Sequence, residues 1–136
     1  MIPLLSLLAC ASEPSESPAP SSATEAPAAK GSREDTDLAG LEAAIESKAL
    51  VVDVRTDDEW KSGHVPGAVH LPLSDLSADH PVLKDHDPSV PVYFVCESGG
   101  RSGRAADAMA AEGFRTVNVK GGTGAWRSAG KPLETP

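Results

Sequence analysis

The chain is short of cysteine, of basic residues and of long apolar runs, and each shortage removes a class of function. Only two cysteines occur in 136 residues, Cys10 and Cys96. Two thiols so far apart supply neither a disulfide framework nor the clustered ligands of a zinc site. His64, His70, His80 and His86 lack metal-ligand spacing as well, so no metal site is expected. Lys and Arg number 12 against 20 Asp and Glu, for a formal charge of −8. With no basic surface to neutralise phosphates, nucleic acid is excluded as a partner. The longest apolar run at the start, MIPLLSLLAC, is too short to cross a bilayer. The length allows one domain, with roughly 100 residues from position 38 onward for its core.

What the opening segment does contain is an apolar run ending in a small residue and a cysteine. Its LLAC resembles the lipobox of bacterial lipoproteins, which implies cleavage before Cys10 and diacylation of that thiol. Residues 11–37 read as a linker. From Ala11 to Ser32, sixteen of twenty-two positions are Pro, Ser or Ala, and none is a large apolar residue. Such a stretch buries too little surface to offset its ordering entropy, so a disordered, acidic tether is expected. The division is therefore 1–10 signal-like segment, 11–37 linker and 38–136 folded domain, exported and lipid-anchored at the cell envelope.

Within 38–136 the hydrophobic period switches repeatedly. Leu38, Leu41, Ala44 and Ile45 recur at helical spacing behind Thr36 or Asp37 as N-cap. ALVVDV is a short apolar run suited to a parallel strand covered on both faces. TDDEWKSG reads as a brief helix, Ala68 to Leu71 as a short strand, and residues 73–89 as a loop with one helical turn. VPVYFV is the strongest strand signal, followed by a helix in RSGRAADAMAAEG, a strand in TVNVK and a short glycine-opened helix carrying Trp126. Strands separated by helices predict an α/β fold with a parallel sheet, whose ligands bind at the carboxyl ends of the strands. Cys96 stands at such an end.

The loop CESGGRS then carries the chemistry. Gly99 and Gly100 let the backbone curl so that amide hydrogens point inward, and the following helix adds the positive end of its dipole. A thiol at the base of that curl should ionise below the ordinary value of about 8.5. Arg101 adds a planar cation at the rim, suited to bidentate pairing with an oxyanion, and Arg104 lies one turn further on. Asp53 and Arg55, at the end of the neighbouring strand, stand where they can brace the loop. Asp53 is expected to pair with Arg101 or with loop amides. His64, before a proline turn, reads as a structural hydrogen bonder.

Three stretches carry a family resemblance over about residues 38–136. VVDVRTDDEWKSGHVPGAVHLPL, YFVCESGGRS and GFRTVNVKGGTGAW resemble, in order, the strand-end and turn, active-site loop and closing helix of rhodanese sulfurtransferases. The resemblance implies a small parallel sheet of about five strands flanked by helices on both faces. It also implies a reaction in which Cys96 takes a sulfane sulfur from a donor such as thiosulfate and passes it to cyanide or a thiol, with no metal or organic cofactor. The amides of Glu97, Ser98, Gly99, Gly100 and Ser102 would then cradle the outer sulfur. Glu97 departs from the family pattern and makes an anionic donor less welcome; Thr123 and Gly124 depart from it in the last helix and should weaken that helix. The expected partners are a small sulfur compound and a thiol or protein acceptor, with the domain itself a monomer.

Two alternatives are weighed against this reading. Same-fold phosphatases and arsenate reductases hold five residues between Cys and Arg, whereas four intervene here, Glu97 to Gly100. A non-catalytic binding module of the same fold would not need Cys96. A disulfide oxidoreductase is disfavoured by the lack of a resolving cysteine.

Overall fold

The computed structural model of the chain describes residues 31–136. Cys10 and most of the linker lie outside the described residues. Five strands, β1 (Ser32–Thr36), β2 (Leu50–Asp53), β3 (Val69–His70), β4 (Val92–Val95) and β5 (Arg115–Val119), form one sheet in the order β1-β5-β4-β2-β3. Every pairing is parallel. Five α-helices, α1 (Leu38–Glu46), α2 (Asp57–Lys61), α3 (Pro81–Lys84), α4 (Gly100–Ala111) and α5 (Gly122–Ser128), and one 3-10 turn, Leu73–Asp75, accompany them among the described residues.

Strand β1 corrects the linker boundary at residue 37. Its sequence SREDT has no apolar alternation and is mostly exposed, so nothing in its side chains announces a strand. It is an edge strand held by main-chain pairing to β5, and its charges blunt the open edge. Arg33 pairs with Asp35 at 2.8 Å and reaches Asp107 on α4 at 3.0 Å.

The two faces follow from the two-residue period of the strands. Val52, Val54, Val92, Phe94 and Cys96 point to one face, against Ala105, Ala106 and Met109 of α4. Val51, Val95 and Val119 point to the other, against Leu41 and Ala44 of α1 and Trp126 of α5. Helices thus cover both faces, as the apolar strand sequences require.

From β2 the chain turns outward to β3, and from β4 it turns the opposite way to β5. The two diverge at the adjacent carboxyl ends of β2 and β4, which opens a crevice between Asp53 and Cys96. The beginning of α2 is secured there by a capping box: Thr56 Oγ1 accepts from the Glu59 N–H, and Glu59 Oε1 accepts from the Thr56 N–H at 3.1 Å.

Candidate active site

Because Val92, Phe94 and Cys96 alternate onto the α4 face, the Cys96 sulfur emerges directly beneath the start of α4. Gly99 is the N-cap of that helix with φ 109°, a left-handed conformation that disfavours any residue with a Cβ. This turn brings the Gly99 N–H to 3.0 Å from Cys96 Sγ.

The direction of the curl is set by α5. The opening amides of α5 have no partners within their own helix, and they take the carbonyls of the loop instead. Gly121 N–H donates to Ser98 O at 3.2 Å, Thr123 N–H to Cys96 O at 2.8 Å and Gly124 N–H to Glu97 O at 2.9 Å. In a trans peptide the C=O and the next N–H point opposite ways. Drawing the Glu97 and Ser98 carbonyls toward α5 therefore turns the N–H groups of Ser98 and Gly99 toward the sulfur. Ser102 adds its own N–H from the first turn of α4 and its hydroxyl, whose oxygen lies 3.4 Å from Sγ.

The thiol is held between opposing effects. Burial pushes it up, since Cys96 is 1% exposed. The Ser102 hydroxyl and the N–H groups of Ser102, Gly99 and Ser98 outweigh that and hold it below its ordinary value. Behind Ser102 runs a chain of polar groups: its hydroxyl reaches Asn118 Oδ1 at 2.5 Å, and Asn118 Nδ2 donates to Asp35 Oδ1 at 3.2 Å.

Two of the sequence expectations are corrected by the ion pairs. Asp53 meets neither Arg101 nor the loop amides; it pairs with Arg55. The Arg55 Nε lies 3.1 and 3.0 Å from the two Asp53 oxygens, and its main-chain N–H donates to Oδ1 at 2.9 Å. Two residues apart on an extended chain, both side chains fall on one side, so the pair closes locally. Arg55 is completely buried and also donates to Gly63 O at 2.7 Å and to Glu97 Oε1 at 3.2 Å. It braces the loop, with Asp53 fixing the brace. Arg101, expected to stand open at the rim, is instead bound bidentately by Glu59 at 2.7 and 2.9 Å. Arg101 together with the Thr56 contacts holds the Glu59 carboxyl at a pKa of about 2, against burial.

Glu97 is likewise not a bare charge beside the nucleophile. Its two oxygens accept from Arg55 at 3.2 Å and from Arg127 at 2.7 Å, and Arg127 foremost keeps it ionised below the usual carboxylate range. Its fit explains Gly124 too: a Cβ there would sit 2.9 Å from Glu97 O and 3.2 Å from Glu97 Oε2. Gly124 is thus matched to both the main chain and the side chain of Glu97. His64 is buried, stacked flat on Trp60 at 3.4 Å, with Nδ1 3.2 Å from Trp60 O and its main chain paired to Glu134. Arg104 is exposed and makes no ion pair among the described residues. An open depression of about 360 Å³ lies beside Arg101, lined by Val54, Arg55, Thr56, Pro72, Leu73 and Ser74.

Sequence reasoning missed Glu59, Asn118 and Arg127. Glu59 has a visible role as a helix cap, which masks the second; the other two have no local signal.

Fold and site together define a parallel α/β domain built around a cysteine thiol in a curl of main-chain amides, at a switch point of the sheet. The profile of the rhodanese-like domain matches residues 37–129, and the chain belongs to that family. It is 36% identical over 96 residues to YtwF of Bacillus subtilis, whose name gives sulfurtransferase as a provisional assignment; the match spans 69% of this chain and 90% of YtwF. YrkF of the same bacterium, provisionally named a sulfur carrier protein, is 38% identical over 77 residues, 56% of this chain and 40% of that protein. The crystal structure of a rhodanese-like domain protein from Staphylococcus aureus superposes with a TM-score of 0.62 at 32% identity, covering 76% of this chain and 98% of that one.

Proposed function

We propose that the domain is a sulfurtransferase working through a persulfide on Cys96. The Cys96 thiolate attacks the outer, sulfane sulfur of a donor. A new S–S bond forms to Cys96 as the donor's own S–S bond breaks, and the donor leaves with that electron pair, as sulfite from thiosulfate or as a thiol from an organic persulfide. An acceptor then attacks the outer sulfur and restores the thiolate, giving thiocyanate from cyanide or a new persulfide from a thiol. No net oxidant is consumed.

The observation that carries this reading is the orientation of the loop amides. Four donors converge on the sulfur, from Ser98, Gly99 and twice from Ser102, and they favour its anion. With Cys96 1% exposed, the site suits a slim terminal atom over a broad tetrahedral group. The loop of four residues between Cys96 and Arg101 supports sulfur over phosphate or arsenate in the same way. The name of YrkF supports a protein or thiol acceptor. The test is transfer to cyanide or a thiol by the wild-type domain and by Cys96→Ala, with circular dichroism as the fold control. Loss of all transfer in a folded variant is expected; turnover without the thiol overturns the reading.

We extend the proposal to location. The lipobox-like LLAC and the Pro/Ser/Ala-rich stretch behind it support a diacylated Cys10 tethering the domain outside the cytoplasm. Detergent partitioning of the full chain and of Cys10→Ser tests it: the wild type should enter the detergent phase and the variant should not, and equal partitioning refutes the anchor.

A further inference from the structure

The three arginines around Cys96 are all engaged by carboxylates. Arg55 holds Asp53 and Glu97, Arg127 holds the other oxygen of Glu97, and Arg101 holds both oxygens of Glu59. Three cations thus face three anions, and the attraction left for an incoming anion comes from the loop amides and the Ser102 hydroxyl. Those amides are spent on one sulfur. A donor that carries a second negative charge on oxygen, as thiosulfate does on its sulfonate end, meets Arg101 as the first guanidinium after the loop. That guanidinium already carries a carboxylate in the fork geometry a sulfonate would use.

Resting on the sulfurtransferase reading, we propose that Glu59 is a specificity-determining residue that selects against dianionic donors, so that the sulfur source is an organic persulfide with at most one charge near the loop. Glu59 sits where an oxyanion would bind and stays ionised throughout the ordinary pH range. A dianion must displace it from Arg101 and then remain beside it. A persulfide of a small thiol meets no such competition, because its reacting end is a single sulfur and its carbon part carries no oxyanion to seat on Arg101. The depression next to Arg101, with Val54, Pro72 and Leu73 in its wall, offers apolar surface for that carbon part.

Glu59 also caps α2 through Thr56, so the informative change is Glu59→Gln, which keeps the capping oxygen and removes the charge. The measurement is kcat/KM for Cys96 sulfuration from thiosulfate and from 2-hydroxyethyl persulfide, whose carbon part carries no carboxylate, in wild type and variant, with a thermal melt as the fold control. Wild type should prefer the persulfide, and the ratio of thiosulfate to persulfide kcat/KM should rise about tenfold in Glu59→Gln, mainly through a lower KM for thiosulfate. An unchanged ratio in a folded variant that still takes sulfur from the persulfide overturns the role of Glu59 and leaves the sulfurtransferase reading standing. A wild-type preference for thiosulfate does the same. Failure of both donors to sulfurate Cys96 overturns both.

Discussion

Replacing Ser102 with alanine removes one of the four groups that favour the anion of the Cys96 sulfur, and the size of the effect can be worked from the geometry. A hydrogen bond to a charged group contributes about 1.5–3 kcal/mol when well made. This one is long, at 3.4 Å, and Ser102 has a single proton for which Asn118 Oδ1, at 2.5 Å, competes. Ionisation of Cys96 must draw that proton from Asn118 to the sulfur, so the net contribution falls near the lower end, about 1.4 kcal/mol, or about one pKa unit. Ser102→Ala should therefore raise the thiol pKa by about one unit, read from the pH dependence of iodoacetamide alkylation. Removing the competitor acts in the opposite direction. In Asn118→Ala the hydroxyl proton belongs to the sulfur alone, and the thiol pKa should fall. General loosening of the site would not produce shifts of opposite sign from two neighbouring deletions. An unchanged or lowered pKa in Ser102→Ala would refute the reasoning.

Three further outcomes are expected. In Gly99→Ala the left-handed φ of 109° becomes strained by about 1–3 kcal/mol, and relief by rotating the Ser98–Gly99 peptide withdraws the N–H at 3.0 Å from the sulfur; kcat for transfer should drop about a hundredfold, as for loss of one main-chain donor. Arg127→Ala leaves Glu97 with Arg55 as its remaining partner, so a negative charge beside the loop is less compensated; the KM for thiosulfate should rise about threefold, and a fall would show that Arg127 does not screen Glu97. Acid unfolding tests Glu59 separately. Its carboxyl ionises at about 2 when folded against 4.5 ordinarily, so the folded state binds fewer protons there, and the stabilisation present above pH 4.5 is lost as the pH falls toward 2. In Glu59→Gln, denaturant midpoints measured across that window should decline less steeply than in wild type; equal slopes would contradict the pairing.

Local pattern made much of the fold legible. Strands β2, β4 and β5 are short apolar or β-branched runs, and α1 and α4 show three-to-four spacing, so alternation of periods was enough to call a parallel sheet with covered faces. Strand β1 was not legible because an exposed edge strand is specified by its neighbour's main chain, and SREDT offers no apolar face to read. At the site, Cys96 and the two glycines after it announce a curl of amides. What turns those amides inward is α5, some 25 residues further on, and no local pattern encodes that. The ion pairs were the least legible part. Arg101 and Glu59 are 42 residues apart, as are Arg55 and Glu97, and which carboxylate takes which arginine depends on crevice geometry, not spacing. Asp53 and Arg55 show the reverse case: a pairing across two residues was nearer than either partner considered for Asp53.

The central claim, that a curl of main-chain N–H groups favours the anion of the Cys96 sulfur and lets it carry a second sulfur, is tested most directly by mass spectrometry of the domain after incubation with 2-hydroxyethyl persulfide. The account predicts a gain of one sulfur atom on the peptide that contains Cys96, reversed by cyanide with release of thiocyanate. An unmodified Cys96 peptide after that incubation, in a domain shown to be folded, would contradict it.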